Sequence, residues 1–113
     1  MIKQETKDLI EQAVKIEYEN ACSYGKVYNS EHEAWAVIKE ELEEAEEELD
    51  FSKDYMTMIW NLIKLNKKDK DFFLDNLERH ARNMVAEGCQ VLACIQKFKK
   101  TIDYENGKVK NGD

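Results

Sequence analysis

Residues Glu40 to Glu48 read EELEEAEEE, and seven of the nine are glutamate. Carboxylates at this density either form a solvated helix face or hold a hard divalent cation. The position of each glutamate around a helix decides which of them are able to take part in a site. At about 100° per residue, Glu40, Glu43 and Glu47 fall away from the apolar stripe of Trp35, Ile38, Leu42, Ala45 and Leu49. Glu46 borders one flank of that stripe. Glu41, Glu44 and Glu48 form a row along the other flank. Like charges three or four residues apart repel by a few tenths of a kcal/mol on a bare helix. Lys39 is the only basic residue between Ser30 and Phe51, so the row has no cation of its own. A divalent ion would relieve it. The competing reading is an acidic face built from good helix formers and left to water.

A second carboxylate position stands further along the chain. In NMVAEGCQVLACIQKF, Glu87 is the only acid, and Asn83, Gln90 and Cys94 share its flank of the helix. A carboxylate beside a core calls for a partner. Here that is either a metal shared with Glu41 and Glu44, or an ion pair with Arg79, Arg82 or a lysine. Glu48 is the spare carboxylate, fit to serve as ligand or general base.

The elements that carry these groups are read from apolar periodicity. The chain has 113 residues, no proline and four glycines, which points to an all-α fold. Four helical segments are predicted. The first spans about Ile2 to Tyr24, with Leu9, Ile10, Ala13, Ile16, Glu17 and Ala21 at 3–4 spacing. The second opens on a capping box, Ser30 and Glu33, and runs to about Asp50. The third covers about Lys53 to Leu65, with Met56, Ile59, Trp60 and Ile63 on one side. After the connector NKKDKD comes a long fourth segment, Asp71 to Ile102, striped by Leu77, Ala81, Met84, Gly88, Val91, Ile95, Phe98 and Ile102. That stripe is more than a monomer of this size needs to cover, which predicts at least a dimer. One domain is expected over residues 1–102, followed by a flexible tail, 103–113.

With these motifs placed, the chain resembles the MazG-like, all-α nucleoside triphosphate pyrophosphohydrolases, whose relatives include the dimeric dUTPases. Their signature is EExxE on one helix and ExxD on a later one. Here the motifs read Glu40-Glu41-Leu42-Glu43-Glu44 and Glu87-Gly88-Cys89-Gln90, with Gln90 where the family has Asp. HEAWAVIKEELEE and EGCQVLACIQKF look like a branch found in bacteria and their phages. The resemblance covers about Ser30 to Phe98, apart from the connector. It implies a four-helix bundle, intertwined as a homodimer or homotetramer. It also implies Mg²⁺ or Mn²⁺ held by Glu41, Glu44 and Glu87, with Gln90 as a weak or outer contributor. The implied reaction cleaves a nucleoside triphosphate between its α- and β-phosphates. Lys64, Lys67, Lys68, Arg79 and Arg82 are candidate phosphate contacts. Trp35 and Trp60 are expected in the core, His32 at a cap or the surface and His80 at the core edge. The substitution at Gln90 keeps a second reading open: a weakened or inactive helical oligomer that binds nucleotides or proteins.

Composition excludes other classes. A net charge of −7 opposes general nucleic-acid binding. Cys22, Cys89 and Cys94 have no metal spacing and read as reduced thiols of a cytoplasmic protein. The N-terminus lacks the apolar run of a secretion signal, and the Met56–Leu65 stretch is too short and too interrupted to span a bilayer.

Overall fold

The computed structural model describes residues 1–107. Among them the chain forms α-helices and no strand: α1 (Gln4–Ala21), α2 (Glu31–Lys64) and α3 (Asp71–Glu105). The helix expected to end at Asp50 and the one expected to start at Lys53 are therefore a single 34-residue helix. No glycine or proline interrupts it, and Ser52 does not act as a cap. Its hydroxyl donates to the Glu48 carbonyl one turn back (2.9 Å), so the polar side chain is satisfied inside the helix. α3 continues to Glu105, so the first residues of the expected tail are helical. Residues 108–113 of that tail lie outside the described residues.

The helix ends follow local chemistry. Ser30 caps α2 by accepting from the Glu33 N–H at 3.0 Å. The Glu33 carboxylate is occupied by Asn29, which donates to it at 3.0 Å. Ser30→Ala removes the cap and is expected to cost about 1 kcal/mol, a fall of several degrees in a thermal melt followed by circular dichroism. At the other end, Asn66 adopts φ 54°. The N–H of Asn66 donates to Ile63 and that of Lys67 to Leu62, a Schellman closure that turns the chain toward α3.

α2 and α3 form an antiparallel hairpin, and α1 packs only on α3. The α1 contact holds the small buried core, Val14 against Cys89 and Ala93, with Ile10, Ala13 and Tyr18 around it. The α1–α2 loop is pinned to the end of α3. The Tyr28 N–H donates to Thr101 Oγ1 at 2.9 Å, and that hydroxyl donates to the Lys97 carbonyl at 2.8 Å. Lys97 is buried, lies 4.5 Å from the centre of the Tyr28 ring and donates to the Ala21 carbonyl at 2.8 Å. It thereby supplies the cation that the last turn of α1 lacks.

Of the apolar stripe expected to form the core of α2, Ile38 and Ala45 are half-buried, but its large members are left exposed. Trp35, Leu42, Leu49, Met56 and Ile63 recur every seven residues and are 61, 52, 38, 54 and 47% exposed. Trp60, also expected inside, is exposed. The seam with α3 is made instead by the neighbouring row: Ala34, Glu41, Glu44, Glu48, Ser52, Tyr55 and Ile59 are buried or half-buried. α3 shows the same offset. Its Leu77, Met84, Val91 and Phe98 row is only half-buried, and Leu74, Ile95 and Ile102 are exposed. In an antiparallel pair these two stripes turn to the same side of the hairpin. Trp35 of α2 and Phe98 of α3 accordingly line one shallow pocket with Glu31 and His32. α1 sits on a different face of α3, so among the described residues nothing covers this side.

The molecule is elongated, 63 × 31 × 23 Å, with a radius of gyration of 18.6 Å. A compact domain of this length would have about 13 Å. Its accessible surface is 8545 Å². A monomer of this mass is expected near 6,400 Å².

Candidate metal centre

The hairpin brings its acids together where two heptad lines cross the seam. Glu41 and Glu44 come from one turn of α2, and Glu87 from the middle of α3. One carboxylate oxygen from each lies within 4.8 Å of the others, and all three residues are half-buried. Glu40, Glu43, Glu46 and Glu47 are exposed. The glutamates sort as helical geometry predicts.

The electrostatics of the cluster are unfavourable for bare carboxylates. Burial raises the Glu41 carboxyl above its ordinary value, and the Glu44 and Glu87 charges raise it further. Burial also raises Glu87, followed by the Glu44 charge, a hydrogen bond shared with Glu44, and the charges of Glu48 and Glu17. Neither arginine considered as a partner reaches Glu87. Arg79 donates to Asn76 Oδ1 at 2.9 Å, and Arg82 pairs with Glu78 at 3.4 Å.

Gln90 is the one neutral group in the cluster. With its nitrogen turned to the acids, it donates to Glu41 Oε2 and to Glu87 Oε2, each at 3.0 Å. The opposite orientation sets the amide oxygen against carboxylate oxygens, so chemistry selects the donating one. In that orientation Gln90 bridges the two helices and presents no ligand oxygen to the cluster.

Glu48, one turn beyond Glu44, faces His80 instead. Its Oε2 lies 2.6 Å from His80 Nδ1. His80 is buried, not merely at the core edge. Its ring stacks on Phe51 at 4.8 Å and on Tyr55 at 5.6 Å. Sequence reasoning passed over His80 as a partner, although a signal was present. It stands seven residues before Glu87 and therefore lies on the same line of α3.

A cleft of about 210 Å³ adjoins the acids. Glu17, Asn20 and Ala21 of α1, Tyr28, Val37 and Glu41, and Gln90, Ala93 and Cys94 of α3 line it. It is smaller than the roughly 300–1,000 Å³ of drug-sized sites and suits a single ring system. Burial and a hydrogen bond with Cys94 raise the Tyr28 phenol well above its ordinary value, so it stays a neutral donor. The polar Glu17 in the α1 stripe was the only sequence signal for this cleft.

The expected phosphate contacts are placed elsewhere. Because α2 is continuous, Lys64 lies twenty residues, roughly 30 Å, from Glu44. Its Nζ sits 5.8 Å from the Trp60 ring centre. Lys67 and Lys68 lie in the connector beyond it. All three cysteines are free; Cys89 belongs to the α1–α3 core and Cys94 to the cleft. Among the described residues no helix is long and apolar enough to cross a membrane. No family model, curated protein or solved structure matches the chain.

The donor set fits a hard cation. It consists of oxygen ligands only, from two helices held in fixed register, with mutual repulsion that a 2+ charge offsets. Three carboxylates leave room for waters or phosphate oxygens, as Mg²⁺ and Mn²⁺ require.

Proposed function

We propose that the protein is a divalent-metal-dependent hydrolase that converts (deoxy)nucleoside triphosphates to monophosphate and pyrophosphate. One observation carries this reading: Glu41, Glu44 and Glu87 converge from two helices on a space that each reaches with one oxygen. The resemblance to the MazG-like enzymes supplies the reaction class. Bound Mg²⁺ or Mn²⁺ would neutralise phosphate charge and acidify a bound water. Glu41, Glu44 and Glu87 would hold the cation, and the adjoining cleft would take the organic part of the substrate. Glu48, a further carboxylate whose charge reaches Glu87, accepts the proton of the attacking water. The test is pyrophosphate release from each nucleoside triphosphate with Mg²⁺ or Mn²⁺. Release that requires the metal supports the reading, and none with any nucleotide rejects it.

Gln90 modulates the site. Its amide satisfies two carboxylates without a metal, and ligation requires the group to turn over. Gln90→Asp restores a charge and is expected to tighten Mn²⁺ binding about tenfold or more, read by isothermal titration calorimetry. The clamp also favours the second reading, a nucleotide- or protein-binding helical oligomer without catalysis. That reading predicts a wild-type protein whose melting temperature does not respond to metal.

The assembly we propose is a homodimer or a larger homo-oligomer in the cytoplasm. Its interface is the uncovered stripe of Trp35, Leu42, Leu49, Met56 and Ile63 with its counterpart on α3. The excess of roughly 2,000 Å² over a compact monomer exceeds the roughly 800 Å² that each partner buries in a standard interface.

A further inference from the structure

We propose that His80 is a positioning residue: its Nδ1–H fixes one oxygen of Glu48, so that the other is held beside the Glu41–Glu44–Glu87 cluster to take the proton of the attacking water. The inference rests on the hydrolase reading and adds to it a residue outside the acidic motifs.

Three observations converge on this role. The Nδ1 to Oε2 distance of 2.6 Å is that of a strong, charge-assisted hydrogen bond. The ring has no freedom to leave it, because Phe51 and Tyr55 stack on it and it is buried. The tautomer follows from the other ring nitrogen. Arg79, which only donates, stands 3.4 Å from Nε2. Nε2 is therefore the acceptor and Nδ1 carries the proton. Glu48, Tyr55 and Arg79 are the titratable groups facing the ring. Glu48 Oε1 makes no hydrogen bond among the described residues, and the Glu48 charge reaches Glu87.

The step balances as follows. The water oxygen bonds to a phosphorus flanking the α–β bridge, and its proton passes to Glu48 Oε1. The bridging P–O bond breaks, the two products part, and Glu48 returns the proton to solvent.

Two substitutions test the role. Leucine removes both the ring and the donor, whereas asparagine removes the ring but places Nδ2 near the position of Nδ1. His80→Leu is expected to lower kcat about tenfold to a hundredfold, with nucleotide KM and Mn²⁺ affinity unchanged. His80→Asn is expected to stay within about threefold of wild type, because the donor to Glu48 survives. A merely structural ring would make the two variants equally poor. In the metal-free protein, ¹⁵N-resolved NMR of the imidazole should show the Nδ1–H tautomer. An Nε2–H tautomer, an unimpaired His80→Leu, or equal losses in both variants overturns the proposal while leaving the hydrolase reading intact. Absence of metal-dependent turnover in the wild type overturns both.

Discussion

Glu87→Gln is expected to raise the melting temperature of the metal-free protein and to abolish its response to Mg²⁺ and Mn²⁺. The two effects have one cause. Burial and the Glu44 charge hold the Glu87 carboxyl above its ordinary value. In the unfolded chain it ionises near the usual 4.3 or so. The unfolded state therefore releases this proton first, and stability is lost as pH rises from that value through the folded-state one. Above that range the folded protein carries the repulsion between the Glu87 charge and its acidic neighbours. Glutamine removes one charge, which is worth on the order of 1 kcal/mol, or several degrees in a thermal melt. The advantage over wild type should shrink as pH falls through 4 or so, because below that range the wild-type carboxyl is protonated in both states. Metal reverses the order. A cation at a hundred times its dissociation constant stabilises the wild type by about 2.7 kcal/mol. The variant lacks one ligand from the second helix and gains far less. Its metal-dependent pyrophosphate release should fall about a hundredfold or more. A variant less stable than wild type without metal, with an intact metal response, would show that Glu87 is held by something other than a shared cation. Calorimetric scans from about pH 3 to 8, with and without Mn²⁺, read all of these outcomes.

Leu42→Glu combined with Leu49→Glu is expected to leave a folded monomer. Both leucines lie on the exposed stripe of α2, with Leu42 52% and Leu49 38% exposed in their own chain. In a symmetric dimer the double variant removes four buried leucines and introduces four desolvated carboxylates. At about 1.5 kcal/mol for each lost leucine, the dimer weakens by roughly 6 kcal/mol, about four orders of magnitude in Kd. Sedimentation velocity measures the change, and circular dichroism checks that the helices remain. Glu43→Gln, on the exposed side of the same helix, serves as a control that leaves the assembly unchanged. A wild-type protein that is monomeric at high concentration would assign the stripe to a different partner.

The helical class was legible in the absence of breakers, and the start of α2 in Ser30 and Glu33. The glutamates were legible because burial follows helical angle: the predicted row of Glu41, Glu44 and Glu48 is the half-buried one. What the sequence did not show is which face of α2 meets α3. An amphipathic pattern marks the side that avoids water, whether its own chain or another covers it. The most hydrophobic stripe was therefore assigned to the core, and Trp35 and Trp60 with it, whereas the seam went to the polar row beside it. Ser52 was ambiguous for a related reason. A serine hydroxyl caps a helix or bonds back one turn inside it, and only the continuing backbone distinguishes the two. Apart from the polar Glu17, the cleft left no mark in the sequence, because Asn20, Tyr28 and Cys94 meet only when α1 docks on α3.

The unbroken course of α2 also dictates which length changes the chain tolerates. One residue inserted between Glu48 and Tyr55 would swing everything beyond it by about 100°, dismantling the alignment of both ends with α3 at once. The same insertion in the Lys67–Lys70 connector would alter only a surface turn. Natural variants of this protein should therefore differ in length at the hairpin tip and hardly ever along its shaft.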